Sequence, residues 1–307
     1  MKRRDFVKYS SLTGALTLAQ GLPARGWDRD ETVKITILHT NDVHSRIDPF
    51  PMDGSKLQGL GGAASRATLI KQIKKAEKNV LLLDAGDIFQ GTPYFNLYHG
   101  EIEMKTMTAL GYDASTIGNH DFDGGMENLA AQMKFANFPL VNSNYNFNDT
   151  PLKGEIKDYI VRNIDGIRVG IFGLGIELQG LVPKNLYVNT IYQEPLDRAN
   201  KMTDFLKNEI KCDYIICLSH LGYSYKNEKL SDVKLAPLVN HLDLIIGGHT
   251  HTFLDNAILS KNQNGHPLII NQVGWAGVML GRIDVTFERN KSKHQCKTCK
   301  NEWVMNG

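Results

Sequence analysis

Five times in this chain a short run of strand-forming residues ends directly in a cluster of glycine, aspartate, asparagine or histidine. The runs are 33–38, 80–83, 115–117, 214–218 and 244–246. The clusters behind them are Asp42-Val43-His44, Gly86-Asp87, Gly118-Asn119-His120-Asp121, Ser219-His220 and Gly247-Gly248-His249-Thr250-His251. Short, continuously apolar runs are the habit of strands covered on both faces. Folds of that kind place their chemistry just beyond the strand ends.

Between these runs the pattern turns helical. Residues 63–76 put Ala67, Ile70 and Ile73 on one helical face. Residues 102–110 read as a helix stopped by Gly111. Helices are also expected over 126–135 and 196–210. Asp165-Gly166 joins two strand patterns, 159–164 and 167–172, as a hairpin. The pattern at 268–270 reads as a buried strand, and 283–287 alternates like a final, half-exposed one. Crossovers mixed with hairpins imply one α/β domain with a mixed sheet or two stacked sheets. The last stretch, 289–307, is basic and polar and is expected to lie outside the core as a tail.

Composition narrows the class. Apolar residues make up 42% and charged residues 22% of 307, enough to build a core. A formal net charge of +2 gives no sign of a nucleic-acid partner. No apolar run reaches the length of about 20 residues that a membrane-spanning helix needs. The first residues look like an address. Lys2, Arg3, Arg4 and Lys8 stand against Asp5, and a charge-free stretch follows from Tyr9 to Ala24. Arg3-Arg4 with Phe6 and Lys8 resembles a twin-arginine export signal. The organisation expected is therefore a signal over 1–26, a catalytic domain over 27–288 and the tail over 289–307, with a periplasmic or otherwise exported product.

The clusters hold five of the chain's ten histidines. Imidazole, carboxylate and amide ligands without thiolate suit a hydrolytic zinc, manganese or iron centre. Seven candidate ligands exceed one tetrahedral ion and fit two ions sharing a carboxylate. Two-metal sites serve in-line displacement at phosphorus.

The order Asp-x-His, Gly-Asp, Gly-Asn-His-Asp, single His, Gly-His-x-His resembles the calcineurin-like metallophosphoesterases. The fuller strings, 37–44, 87–93, 118–123, 219–222 and 247–251, are similar to the 5′-nucleotidase / 2′,3′-cyclic phosphodiesterase branch. The resemblance implies an α/β, four-layer αββα sandwich of two stacked mixed sheets. It assigns Asp42, His44 and His251 to one metal, Asn119, His220 and His249 to the second, and Asp87 to the bridge. It gives His120 the role of stabilising the transition state or protonating the leaving group, with Asp123 orienting it. The cofactors implied are two divalent ions, Zn, Mn or Fe, and the activity is hydrolysis of nucleotides or other small phosphoesters by metal-activated water.

The same fold admits a thiosulfohydrolase acting on sulfur esters, or a catalytic subunit that relies on a separate substrate-binding chain like the C-terminal domain of 5′-nucleotidases. Aromatic residues near the clusters include Phe89, Trp275, Tyr223 and Tyr225, of which the two tyrosines are the best candidates to stack on a base. Asn41 is placed to orient the Asp42 loop, and His39 reads as a packed strand residue. Cys212 and Cys217 are expected on opposite faces of one strand as unpaired core residues. Cys296 and Cys299 form a lone C-x-x-C, a local disulfide after export or a solvated tail without a role.

Overall fold

The computed structural model describes residues 32–288 and 294–305. The expected export signal lies outside the described residues. In chain order the first elements are β1 (Thr32–Thr40), α1 (Ala63–Ala76), β2 (Val80–Asp84), α2 (Pro93–Tyr98), α3 (Glu101–Leu110), β3 (Ala114–Ser115), α4 (Met126–Met133) and β4 (Tyr145–Asn146). The hairpin β5 (Tyr159–Ile164) and β6 (Ile167–Gly175) follows, then α5 (Lys184–Tyr187), β7 (Ile191–Tyr192), α6 (Pro195–Asn208), β8 (Tyr214–His220) and α7 (Asp232–Leu235). The chain closes with β9 (Leu244–Gly247), β10 (Ile258–Lys261), β11 (Pro267–Asn271), β12 (Met279–Glu288) and β13 (His294–Trp303).

The strands form two mixed sheets. One has the order β13-β12-β1-β2-β3, the other β10-β11-β9-β8-β6-β5, and β4 pairs with β7 apart from both. β1, β2 and β3 run parallel, as do β6, β8, β9 and β11. The hairpin closes through Asp165 at φ 50° and Gly166 at φ 89°, the left-handed pair that a two-residue turn of this type demands.

Alternation along the strands explains the layering, because successive side chains point to opposite faces. Ile35 and Ile37 of β1 and Leu81 and Leu83 of β2 meet Val169, Ile171, Ile216 and Ile246 of the other sheet. Their neighbours Leu38 and Leu82 turn outward onto Ile70 and Ile73 of α1 and Met104 and Met107 of α3. On the far side Ile215, Cys217 and Ile245 pack against Ala199, Met202 and Leu206 of α6. The result is helix, sheet, sheet, helix. Each fully buried aliphatic chain in these layers contributes about 1.5–3 kcal/mol of transfer free energy. Among the described residues no helix is long and apolar enough to cross a membrane.

Three expectations need correction. Residues 294–303 are no loose tail; they pair antiparallel with β12 along nearly its whole length, and Val304 beyond them is buried. β12 is accordingly neither final nor half-exposed, since its edge is covered and most of its residues are buried. Cys212 and Cys217 are free and buried, but both belong to the core packed by α6. Cys212 precedes β8, so strand alternation does not govern its direction. Cys299 is disulfide-bonded; the side chain of Cys296 lies outside the described residues.

Candidate metal centre

The predicted ligands occupy the turns where strands stop. Five of the seven, Asp42, His44, Asp87, His249 and His251, hold positive φ between 49° and 72°. Each such turn costs a non-glycine residue about 1–3 kcal/mol and is kept only where surrounding bonds enforce it. Here the loops enforce one another. The Asp42 N–H donates to the Gly86 carbonyl at 2.9 Å and the His44 N–H to the Asp87 carbonyl at 3.0 Å. The His249 N–H donates to the Asp42 carboxylate, 2.9 Å from Oδ1.

These turns converge two trios of side chains. Asp42, His44 and His251 form one, and Asp87, His220 and His249 the other, with the ligand atoms of each within 4.8 Å of one another. Asp87 touches a histidine of each trio: Oδ2 is 3.1 Å from His220 Nε2 and 3.8 Å from His44 Nε2. Asn119, the seventh candidate, places Oδ1 2.8 Å from His249 Nδ1.

The donor atoms fit a cation. His220 is fully buried and its Nδ1 donates to the Ala85 carbonyl at 2.7 Å, so in the neutral ring Nε2 is bare. That Nε2 has no hydrogen-bond partner among the described residues and faces the Asp87 carboxylate. His44 repeats the pattern, with Nδ1 3.2 Å from the Phe89 carbonyl and Nε2 3.0 Å from His251 Nε2. In the neutral rings acceptors are thus aimed at acceptors. Two glycines leave the needed space: a Cβ on Gly118 would lie 2.1 Å from Asp87 Oδ1, and one on Gly248 would lie 2.8 Å from His220 Nδ1.

The acid–base balance says the same. Burial alone would lower the His220 pKa, but the Asp87 and Asp42 carboxylates override it and push it up to about 10. Burial likewise works to raise Asp87, and His220, His44 and His120 hold it well below the usual carboxylate range. His249, by contrast, is lowered to about 4 by burial and by the charge on His220. A proton on His220 answers the demand of two buried carboxylates for positive charge. Divalent ions held by these residues would meet the same demand.

His120 stands at the mouth with its side chain 39% exposed. Its Nδ1 is 2.8 Å from Asp123 Oδ2, its backbone N–H donates to Asp87 Oδ1 at 2.7 Å, and its ring lies 5.2 Å from that of His44. The hydrogen bond to Asp123 is the main force raising its pKa, against burial. Asp123 does not cap α4, whose N-cap is Gly125.

The family model for calcineurin-like phosphoesterases matches residues 35–253. The chain belongs to that family. A 5′-nucleotidase of Vibrio cholerae is 35% identical over 307 aligned residues, covering 92% of this chain and 53% of its own length. A snake venom 5′-nucleotidase of Naja atra is 34% identical, covering 83% of this chain and 50% of its own length. The crystal structure of a 5′-nucleotidase precursor from Thermus thermophilus superposes with a TM-score of 0.78 at 32% identity, over 89% of this chain and 54% of the other. The chain spans about half the length of the curated relatives it matches.

In this calcineurin-like phosphoesterase the sequence reading missed the residues that hold the loops. Asp121, last in its motif, accepts four backbone N–H groups, from Gly118, Asp87, Ile88 and Phe89, at 2.8–3.1 Å. Burial and the charge of Asp87 push its pKa up to about 7. The ionised form is nevertheless the one that four donors fit. Gln272 braces the last motif, donating to the Gly248 carbonyl at 2.6 Å and accepting from the Thr250 hydroxyl at 3.0 Å. Its only signal was a polar residue directly after a buried strand. Asn41 does tie the Asp42 loop, donating to Asp42 Oδ2 and to the Gly274 carbonyl, both at 2.6 Å. His39 is fully buried in β1, as expected. Tyr223 packs against the α6 side of the core, and the Tyr225 hydroxyl turns back to the Leu221 carbonyl at 2.7 Å.

Proposed function

We propose that this chain is an exported phosphoesterase that holds two divalent ions, Zn, Mn or Fe, and hydrolyses nucleotides in the manner of a 5′-nucleotidase. The observation that carries the reading is the position of Asp87 between one histidine of each trio. In this reading Asp42, His44 and His251 hold one ion, Asn119, His220 and His249 hold the other, and Asp87 bridges. When bound, such ions make water nucleophilic near neutral pH and neutralise charge gathering on the phosphoryl oxygens.

The remaining work falls to the chain itself. His120, open to solvent beside the His44 ring, reaches substrate first. It donates a proton or hydrogen bond to the oxygen on which charge develops. Asp123 accepts from the Nδ1–H and favours the doubly protonated ring, whose second N–H is the proton to be donated. The backbone N–H of His120 keeps the Asp87 carboxylate in register.

Two further parts of the reading have their own support. Export is supported by Arg3-Arg4 and the charge-free stretch after them, and Arg3→Lys with Arg4→Lys should leave the product inside the cell. The relatives carry about as much sequence again outside the matched part, which supports recognition of the nucleoside by a further domain, in the same chain or in a partner. The deciding experiment is phosphate release from a panel of nucleotides and aryl phosphates by residues 27–307 with manganese, zinc or cobalt. Turnover of both, no faster on nucleotides, is expected if a further domain recognises the nucleoside. Fast, base-dependent turnover would remove that domain from the reading. No phosphate release, with sulfate released from thiosulfate esters, would replace the phosphoesterase reading by the sulfur-ester one.

A further inference from the structure

Trp275 lies flat on the imidazole of His251, with ring centroids 5.6 Å apart and planes 10° from parallel. His251 is the member of its trio that most needs such support. Its side chain is 39% exposed, against 7% for His44 and 0% for Asp42. The two covered residues have their rotamers fixed by close packing. His251 has instead a face held by Trp275 and the edge-on ring of His44 at 5.0 Å. Trp275 is fixed in turn by Phe50, edge to face at 5.7 Å, and the Arg46 guanidinium sits 4.2 Å from the Phe50 ring centre. Arg46 and Phe50 follow His44 in sequence, so the stack closes back onto the same trio.

The backbone around Trp275 addresses that trio as well. The Val273 N–H donates to Asn41 Oδ1 at 2.9 Å, and the Asn41 amide holds both Asp42 Oδ2 and the Gly274 carbonyl. The Gly274 N–H donates to the carbonyl of Thr252, next after His251, at 2.9 Å. The Ala276 N–H donates to the Asp42 carbonyl at 2.7 Å. Ala276 holds φ 57°, a left-handed turn that a residue with a Cβ keeps only under constraint. Among the described contacts none joins residues 273–277 to Asp87, His220 or His249. One loop thus braces one trio and leaves the other alone.

We infer that Trp275 is the positioning residue of His251, and that the 273–277 loop sets the affinity of the Asp42–His44–His251 site separately from its neighbour. The inference rests on the reading of the two trios as metal sites. Outer partners of metal ligands commonly change affinity about 10–100-fold when removed. The test is titration of the chelator-stripped full chain with cobalt or manganese. The unmodified protein should bind two ions. Trp275→Leu should weaken one of them by about 10–100-fold and leave the other unchanged. Trp275→Phe, which keeps a flat ring, should restore most of the loss. Two ions bound by Trp275→Leu with unchanged affinities would overturn the inference.

A second measurement needs no change at position 275. The chain has three tryptophans, and replacing Trp27 and Trp303 by Phe leaves Trp275 as the only one, which excitation at the red edge of the absorption band selects over the tyrosines. Cobalt should quench it in step with filling of the braced site, and His251→Ala should abolish the quenching while His220→Ala does not. Emission unmoved by two bound cobalt ions would also overturn the inference. Failure of the unmodified chain to bind any ion would remove the metal reading, and the role of Trp275 with it.

Discussion

His120 Nδ1 lies 2.8 Å from Asp123 Oδ2, and a 3₁₀ turn over His120–Phe122 brings the two together. The turn presents the imidazole beyond the end of β3, with its backbone N–H on Asp87. In the proposed reading His120 is a positioned proton donor, and such a group is worth about 10²–10⁴ in rate. His120→Ala should therefore reduce turnover by about that factor while the two proposed ions remain bound. Asp123→Asn keeps the shape and removes the charge, so its loss should be smaller. Metal content measured beside phosphate release decides the matter. Unchanged turnover in His120→Ala would end its assignment.

Asp121 carries a different load. One carboxylate closes four N–H groups from two loops that both carry predicted ligands. Asparagine offers one acceptor oxygen and sets an NH₂ against donors. Leaving buried donors unmet beside a lost charge should cost about 3 kcal/mol. Urea unfolding of chelator-treated Asp121→Asn and unmodified protein measures this without a metal contribution. A difference within about 0.5 kcal/mol, the range of a neutral surface change, would mean that the loops hold without it.

The predicted ligands were legible because each sits at a strand end in a short string of unusual residues, and the structure converges them. What braces them was not. The four donors to Asp121 come from residues up to 34 positions away in sequence, and backbone N–H groups leave no mark in the side-chain pattern. Trp275 could be named as an aromatic near the site, but its stacking on His251 depends on a loop 24 residues further along the chain. β13 was read as a tail because its residues are basic and lack apolar alternation. A strand at a sheet edge has little apolar face to show, and lysine there discourages pairing with other chains. At β12 and β13 backbone pairing, not side-chain burial, therefore decides the structure.

Gly118 tests whether space alone can control the centre. Its φ is ordinary, yet a Cβ there would stand 2.1 Å from Asp87 Oδ1 and 2.5 Å from the Asp87 nitrogen. Backbone cannot retreat cheaply from a contact of that kind. Overpacking typically costs about 1–3 kcal/mol, and here the cost falls on the predicted bridging carboxylate. Gly118→Ala should fold with a lowered melting temperature and bind fewer ions than the unmodified chain. Full occupancy by metal analysis would show that the Asp87 loop yields where the present geometry says it cannot.

His39 gives stability a pH dependence independent of the centre. Burial in β1 lowers its pKa to about 3, with Nε2 beside Asn271 Nδ2 at 2.8 Å and Gly281 directly against the ring. The folded chain thus refuses a proton that the unfolded chain accepts at about pH 6.5. The contribution of the neutral ring is complete above that value. Between pH 6.5 and 3 the unfolded state binds one more proton, and stability falls by about 1.4 kcal/mol per pH unit from this residue alone. His39→Gln keeps a polar group for Asn271 and cannot titrate. Urea unfolding of chelator-treated protein between pH 4 and 6 should show a slope shallower by about that amount in the variant. Equal slopes would mean that the ring takes up its proton without unfolding, through a rearrangement at Asn271 and Gly281.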